Sequence, residues 1–145
     1  MIKCTYLDTT FLLALAHERS PFHERASELL EQLRGRGDRL AASYLVRAEL
    51  VSLLASRIPS LGLDEVYALV EYTLSRAGAD VADVDYNAVV REAQLYAGLL
   101  RMRLASVLHL LTALALGCTA IATFDDAIVY RAGSVRDTLG IEVVH

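Results

Sequence analysis

Two carboxylates follow predicted strands, and a third lies in the helix after another strand. Together they could hold a divalent cation. Asp8 comes directly after a strand-like run at residues 3–7, and Asp125 follows a second such run at residues 119–123. Glu49 lies inside the helix predicted after another strand. Carboxylate oxygens suit Mg²⁺ or Mn²⁺, and such an ion polarises a phosphoryl oxygen and activates water. The pattern therefore predicts a metal site able to act on phosphate.

Each carboxylate also has an ordinary structural explanation. Asp8 could cap the helix that follows it, and Asp125 could be a turn residue. Glu49 lies on the apolar face of its helix, where a carboxylate needs a cation, a hydrogen bond or an ion pair. The arginines that could form that ion pair are Arg47, Arg101 and Arg103.

An alternation of strands and helices positions these residues. The predicted strands cover residues 3–7, 39–42, 80–84, 119–123 and 141–144. The predicted helices cover residues 9–17, from Ser20-Pro21 to Gly35, 44–57, 63–76, 86–102 and 104–116, with Asp8 or Thr9, Ser43 and Asp85 as N-caps. This order predicts one α/β domain over residues 1–145, with a central parallel sheet of about five short strands flanked by helices. Ligands of such sheets bind beyond the carboxyl ends of the strands.

Composition excludes some functions. The chain has 145 residues and a net charge of 14 − 18 = −4, which argues against binding nucleic acid by bulk charge alone. Cys4 and Cys118 are interpreted as small buried hydrophobes. The uncharged run at residues 104–124 is split by Gly117 and is predicted to be a buried helix and strand, not a membrane span. We therefore expect a cytoplasmic protein without membrane contact.

Three segments, in order along the chain, resemble the four motifs of one family. YLDTTFLLAL places an aspartate and threonines after the first strand, and SYLVRAELVSLL places a glutamate inside the second motif's helix. SVLHLLTALALGCTAIATFDDAI resembles a helix followed by a strand that ends in Thr-x-Asp. Together these segments resemble the PIN-domain family of metal-dependent ribonucleases. The family usually has an aspartate where this chain has Ser106, one turn before His109.

The resemblance implies roles for particular residues. Asp8, Glu49 and Asp125 are similar to three of the family's acidic metal-site residues. Asp126 is an extra carboxylate that could compensate for Ser106, and His109 could be an acid or base or a buried core residue. The hydroxyl residues that could orient carboxylates or water, or only cap and turn the chain, are Thr9, Thr10 and Thr123.

Three functions remain in competition at this point. The resemblance implies a Mg²⁺- or Mn²⁺-dependent endoribonuclease, the toxin of a type II toxin–antitoxin pair, with RNA as substrate, an antitoxin as partner and a homodimeric state. In that enzyme Arg47 and Arg131 could contact phosphate. Because Ser106 removes one charge, the alternative is a degenerate PIN domain that binds RNA or protein. A receiver-type signalling domain is the weakest reading, since it needs a lysine after a late strand and Lys3 is the only lysine.

Overall fold

A parallel sheet forms the centre of the molecule in a computed structural model that describes residues 2–145. Within those residues the chain forms five strands and eight helices. The strands are β1 (Cys4–Leu7), β2 (Arg39–Ser43), β3 (Ala79–Ala82), β4 (Ala120–Ala122) and β5 (Glu142–Val144). The helices are α1 (Thr9–Ala16), α2 (His23–Gly35), α3 (Tyr44–Arg57), α4 (Leu63–Ala77), α5 (Tyr86–Leu100), α6 (Leu104–Ala115), α7 (Asp126–Tyr130) and α8 (Ala132–Leu139). The predicted α/β fold class is confirmed.

The strand order places the site residues at one edge. The order is β3-β2-β1-β4-β5, and each neighbouring pair is parallel. The chain therefore adds β2 and β3 on one side of β1, and then adds β4 and β5 on the other side. This switch in strand order lies between β1 and β4, where Leu7 is in register with Ala122. Asp8 and Thr123 consequently emerge side by side beyond the carboxyl ends of the two strands.

Three of the helices begin at side-chain caps that the sequence predicted. Asp8 caps α1, Ser43 caps α3 and Asp85 caps α5; each side chain accepts a hydrogen bond from a backbone N–H three residues on. Each cap satisfies one of the donors that the first turn of a helix leaves without a partner. The predicted N-caps are thus confirmed, with Asp8 rather than Thr9 serving α1.

The innermost elements consist mostly of apolar residues, and these residues form the core. β1 and β4 are buried along their whole length, and α1 buries every residue from Phe11 to Leu15. Helix α6 packs against α5 and β4 and contains no Asp, Glu, Lys or Arg. It ends in a turn at Gly117, whose φ of +75° is a left-handed conformation that glycine adopts without strain. This turn separates the helix and the strand that the sequence predicted for residues 104–124.

Two stretches differ from the prediction. Helix α2 begins at His23 and not at Ser20, because Ser20 N–H bonds to His17 and Ser20 Oγ accepts from Phe22 N–H in a tight turn. Helices α7 and α8 were not predicted at all. They are five and eight residues long, too short for a clear helical period of apolar residues.

The two cysteines are buried, as predicted, but they are also joined by a disulfide. Cys4 begins β1, and Cys118 precedes the neighbouring strand β4. Their separation of 114 residues in sequence gave no indication of this pairing. The interpretation of both as simple buried hydrophobes was therefore incomplete.

No single helix within residues 2–145 is long and apolar enough to cross a membrane. Helices α5 and α6 reach the required length and composition only when taken together, and the chain bends by 117° between them.

Candidate active site

A pocket of about 330 Å³ lies beyond the carboxyl ends of β1 and β4. Three separate segments contribute carboxylates to its wall: the end of β1, the middle of α3 and the turn after β4. The acidic residues that line it are Asp8, Glu49, Asp125 and Asp126. The predicted acidic residues are therefore brought to one place by the fold.

Asp8 is the most deeply buried of these acids, with 1% of its surface exposed. Its Oδ1 accepts hydrogen bonds from Thr10 Oγ1 at 2.7 Å and from Phe11 N–H at 3.0 Å, and its Oδ2 accepts from Thr123. Burial raises the pKa of Asp8, and the charge of His109 and these hydrogen bonds only partly offset that effect. Within residues 2–145, no ion pair involves Asp8. A buried carboxylate without a cation is costly, so this group favours a bound positive ion.

Two threonines connect Asp8 to the turn after β4. Thr10 Oγ1 donates to Asp8 and accepts from Phe124 N–H at 2.9 Å. Thr123 Oγ1 donates to Asp8 and accepts from Asp125 N–H at 2.9 Å. Because each hydroxyl bonds on both sides, the two threonines fix Asp8 and Asp125 relative to each other.

Glu49 pairs with a histidine rather than an arginine. Its Oε1 accepts from His109 Nε2 at 2.5 Å and from Thr9 Oγ1 at 3.0 Å. Burial raises the pKa of Glu49, but the hydrogen bond and charge of His109 outweigh it, so the pKa lies below its usual value. The predicted alternative of an arginine partner was wrong: Arg47 pairs with Glu71 at 2.8 Å.

A buried hydrogen-bonded chain orients the imidazole of His109. Tyr6 Oη lies 3.0 Å from His109 Nδ1 and 2.9 Å from Ser43 Oγ. A carboxylate only accepts, so Nε2 carries the proton that faces Glu49; in the neutral ring Nδ1 then accepts from Tyr6. His109 is thus both a buried residue and part of the pocket wall.

Ser106 and Asp125 are directly bonded. The buried Ser106 Oγ donates to Asp125 Oδ2 at 2.6 Å, while Asp125 Oδ1 accepts from Ala127 N–H at 3.0 Å and caps α7. Asp126 is exposed but also lines the pocket. Adjacent residues often point apart, yet here both aspartates contribute to one wall.

The donor set fits a hydrated divalent ion. Within residues 2–145, no three Asp, Glu, His or Cys side chains lie close enough together to ligate one ion directly. The oxygen donors of the pocket nevertheless suit a hard cation that keeps several waters and takes only one or two protein carboxylates. The burial of Asp8, which its hydrogen bonds and His109 only partly offset, supports the same conclusion.

One arginine of the pocket was predicted only as a possible partner of Glu49 and not as a phosphate contact. Arg103 lines it, at the start of α6, whereas Arg47 and Arg131 do not. Arg131 instead lies over the ring of Tyr130, at 5.6 Å from its centre. The signal available in the sequence was the position of Arg103 three residues before Ser106, on the helix that carries the third motif.

The fold and pocket define an open parallel α/β protein whose site lies at the switch in strand order. Residues 5–133 match the family model described as the PIN domain, and the chain belongs to this family. The resemblance stated from the four sequence motifs is therefore confirmed. No curated protein is significantly similar to the chain in sequence.

Three solved structures of the same fold cover most of the chain. VapBC2 from Rickettsia felis, bound to a DNA fragment from its promoter, is 16% identical with a TM-score of 0.68, over 98% of this chain and 99% of that one. The sarcin–ricin-loop-cleaving toxin VapC20 from Mycobacterium tuberculosis is 19% identical with a TM-score of 0.63, over 87% and 93%. VapBC-1 from nontypeable Haemophilus influenzae is 19% identical with a TM-score of 0.62, over 97% and 96%. At these identities the likeness shows the fold alone.

Proposed function

We propose that the chain is a metal-dependent endoribonuclease, the toxin of a type II toxin–antitoxin pair. The observation that carries the proposal is the pocket in which carboxylates from three segments meet at the switch in strand order. Membership of the PIN family and the fold shared with VapC20, a toxin that cleaves the sarcin–ricin loop, support a phosphodiester of RNA as substrate.

Asp8, Glu49 and Asp125 would hold Mg²⁺ or Mn²⁺, one or two of them directly and the rest through its bound waters. When bound, the ion supplies positive charge for the phosphate and lowers the pKa of a water. The buried charge of Asp8 supports this assignment, since no cation of the described residues pairs with it.

The protein groups around that ion have separate tasks. Water attacks phosphorus, the bond to the leaving nucleotide oxygen breaks, and that oxygen takes a proton from solvent. Glu49, whose lowered pKa keeps it ionised, orients the attacking water and accepts its proton, while Thr9 and His109 hold the carboxylate in place. Ser106 holds Asp125, and Arg103 offers the phosphate a positive charge at the rim of the pocket.

Asp8→Asn tests the proposal with little change in shape. We expect it to abolish cleavage of labelled RNA in Mg²⁺ or Mn²⁺, by at least about a hundredfold, because the ion loses a carboxylate. Circular dichroism should show an unchanged fold. Asp80→Asn, which changes an exposed carboxylate on β3 outside the pocket, is the matched control and should cleave normally. An Asp8→Asn variant that cuts at the wild-type rate would sink the assignment.

The second candidate is a catalytically degenerate PIN domain that binds RNA or protein. The observation that favours it is Ser106: a buried neutral hydroxyl bonds to Asp125 at the point where the family pattern has a carboxylate. One negative charge fewer weakens attraction for a divalent ion. Asp126, in the same pocket wall, supplies a carboxylate that offsets part of this loss.

Ser106→Asp separates the two candidates. If the domain is degenerate, the new carboxylate should create cleavage and tighten Mg²⁺ binding in calorimetric titration, whereas Ser106→Asn, equal in size but neutral, should do neither. If the wild type is already an active enzyme, cleavage is present before the change. Unaltered Mg²⁺ affinity in Ser106→Asp would place residue 106 outside the metal site.

The proposal includes two protein partners and a place of action. An antitoxin is supported by the VapBC complexes that share the fold. A homodimer is supported by exposed apolar side chains on α4 and α5, such as Tyr72 and Leu99. An enzyme that cuts cellular RNA acts in the cytoplasm.

A further inference from the structure

A second cavity, of about 340 Å³, adjoins the acidic pocket. The two share Thr10 and Leu53 in their walls, so they lie side by side. The volume lies within the range of small-ligand pockets, about 300–1,000 Å³. We call this second space the aromatic cavity, because Phe22 and Phe124 line it. Nothing in the proposed cleavage chemistry uses it.

Stacked rings form one side of the aromatic cavity. Phe124 stacks on the buried Phe11, with ring centres 5.8 Å apart, and Phe22 stacks on Phe124 at 4.7 Å with an angle of 11° between the planes. Phe22, the outer ring of the three, is 45% exposed. The turn before α2 fixes its backbone, since Ser20 Oγ accepts from Phe22 N–H. The stack is therefore ready to be extended by another flat, apolar face.

Two arginines line the same cavity. Arg19 belongs to the turn between α1 and α2, and Arg57 ends α3. Both are exposed, and within residues 2–145 neither pairs with a carboxylate. The acidic pocket beside them is lined by four carboxylates and one arginine. The carboxylates of the acidic pocket would repel a polyanion that crosses it. Arg19 and Arg57 lie beside that pocket, where their positive charges would offset the repulsion.

We infer that the aromatic cavity binds a nucleobase of single-stranded RNA, one that flanks the phosphate to be cut. The base would extend the stack on Phe22 and Phe124, and Arg19 and Arg57 would contact the adjoining phosphates. Stacking on aromatic side chains combined with a cationic groove is the usual way in which proteins hold single strands. The inference rests on the proposed ribonuclease function and adds to it a subsite for the substrate.

Consecutive residues of the chain join the aromatic cavity to the acidic pocket. Phe124 of the stack and Asp125 of the pocket are consecutive residues, with Cα atoms about 3.8 Å apart. Thr10 bonds to Phe124 N–H and also to Asp8. A base held in the aromatic cavity would therefore fix the register of the strand across the carboxylates.

Two substitutions test the subsite through RNA affinity. The probe is a fluorescein-labelled short single-stranded RNA, measured by anisotropy without divalent metal so that it stays intact. Phe22→Leu, which keeps an apolar side chain but removes the ring, should weaken binding by about tenfold or more. Arg57→Gln should weaken it and reduce the slope of log affinity against log salt by about 0.7.

Matched controls exist for both substitutions. Tyr44→Leu removes a ring that is 51% exposed at the start of α3, outside both the aromatic cavity and the acidic pocket. Arg76→Gln removes an arginine from the last turn of α4, as Arg57→Gln does from α3. Both controls should bind RNA as the wild type does. Thermal melting identifies any variant that has lost the fold, and the exposed Arg57 keeps the test open if Phe22→Leu does not fold.

The outcomes distinguish the subsite from the enzyme. Metal-dependent cleavage by the wild type, together with unaltered RNA affinity in Phe22→Leu and Arg57→Gln, would overturn the subsite and leave the ribonuclease intact. Weaker binding in both variants, without cleavage by the wild type, would support RNA binding in the aromatic cavity, refute the enzyme and favour the degenerate RNA-binding domain. Unaltered RNA affinity with loss of a protein partner in Phe22→Leu would assign the cavity to a protein and overturn the inference.

Discussion

Asp8 places an ionisable carboxyl group in the interior at the end of β1, where its surface is 1% exposed. Its hydrogen bonds hold the carboxylate in one orientation, but no cation of residues 2–145 pairs with it. A residue kept in this state destabilises the fold in the absence of a ligand. Such a conflict between local stability and a charged side chain is common at functional sites.

Asp8→Asn is expected to stabilise the metal-free protein at neutral pH. Because burial raises the pKa of Asp8 above the ordinary 3.8, the native state binds this proton more tightly than the unfolded chain. Wild-type stability is therefore greatest below the unfolded pKa and falls as pH rises through the folded pKa. Asparagine does not ionise, so the Asp8→Asn variant does not lose this stability as pH rises. Urea unfolding should show a gain of about 1–3 kcal/mol at neutral pH and no gain in acid.

Asp38 provides a control of opposite sign. Burial raises the pKa of Asp38, but hydrogen bonds from Arg36 and Thr5 outweigh it, so the pKa is lowered. Asp38→Asn should therefore destabilise the protein at neutral pH, with the deficit fading as pH falls through the folded pKa. Added Mg²⁺ should stabilise the wild type and not Asp8→Asn. If metal-free Asp8→Asn proved less stable than the wild type at neutral pH, Asp8 would not be an uncompensated charge.

At the scale of elements, the site depends on contacts between α1 and the turn after β4. Thr10 is the direct connection, since its hydroxyl donates to Asp8 and accepts from Phe124 N–H. Thr10→Val keeps the shape and removes both bonds. We expect a loss of about 1–3 kcal/mol in urea unfolding, because Phe124 N–H is left without its partner.

Hydrogen exchange locates that effect. The amides of Phe124 and Asp125 should exchange faster in Thr10→Val, while those of α5 should not change. Thr138→Val is the matched control: it replaces an exposed threonine of α8, and its stability should stay within about 0.5 kcal/mol of the wild type. Equal exchange in both variants would show that the turn after β4 is held by other contacts.

Local patterns in the sequence predicted most of the elements and their caps. Ser43 and Asp85 were identifiable because a capping side chain acts on a backbone N–H three residues away. The partner of Glu49 was not identifiable, since His109 lies 60 residues further along the chain. That contact exists only because the strand order brings α3 and α6 to the same edge. Periodicity and capping specify elements; partners across the sheet follow from tertiary packing.

The whole molecule presents apolar side chains that its own core does not use. Leu95 and Leu99 of α5 are 60% and 61% exposed and lie one turn apart, so they share a face of the helix. Large exposed apolar patches often mark interfaces between proteins. A stable interface buries about 1,200–2,000 Å² in total, which requires a neighbouring element such as α4, where Tyr72 is also exposed.

Leu99→Glu is expected to convert a homodimer into monomers. In a symmetric dimer the new carboxylate occurs twice, once on each subunit. Both carboxylates would lose their water against an apolar surface, which is costly. Light scattering after size exclusion should give about twice the chain mass of 15.9 kDa for the wild type and one chain mass for the variant. Ile2→Glu, at a site that is 76% exposed, should remain dimeric. A monomeric wild type, or a dimeric Leu99→Glu, would rule out an interface built on this face of α5.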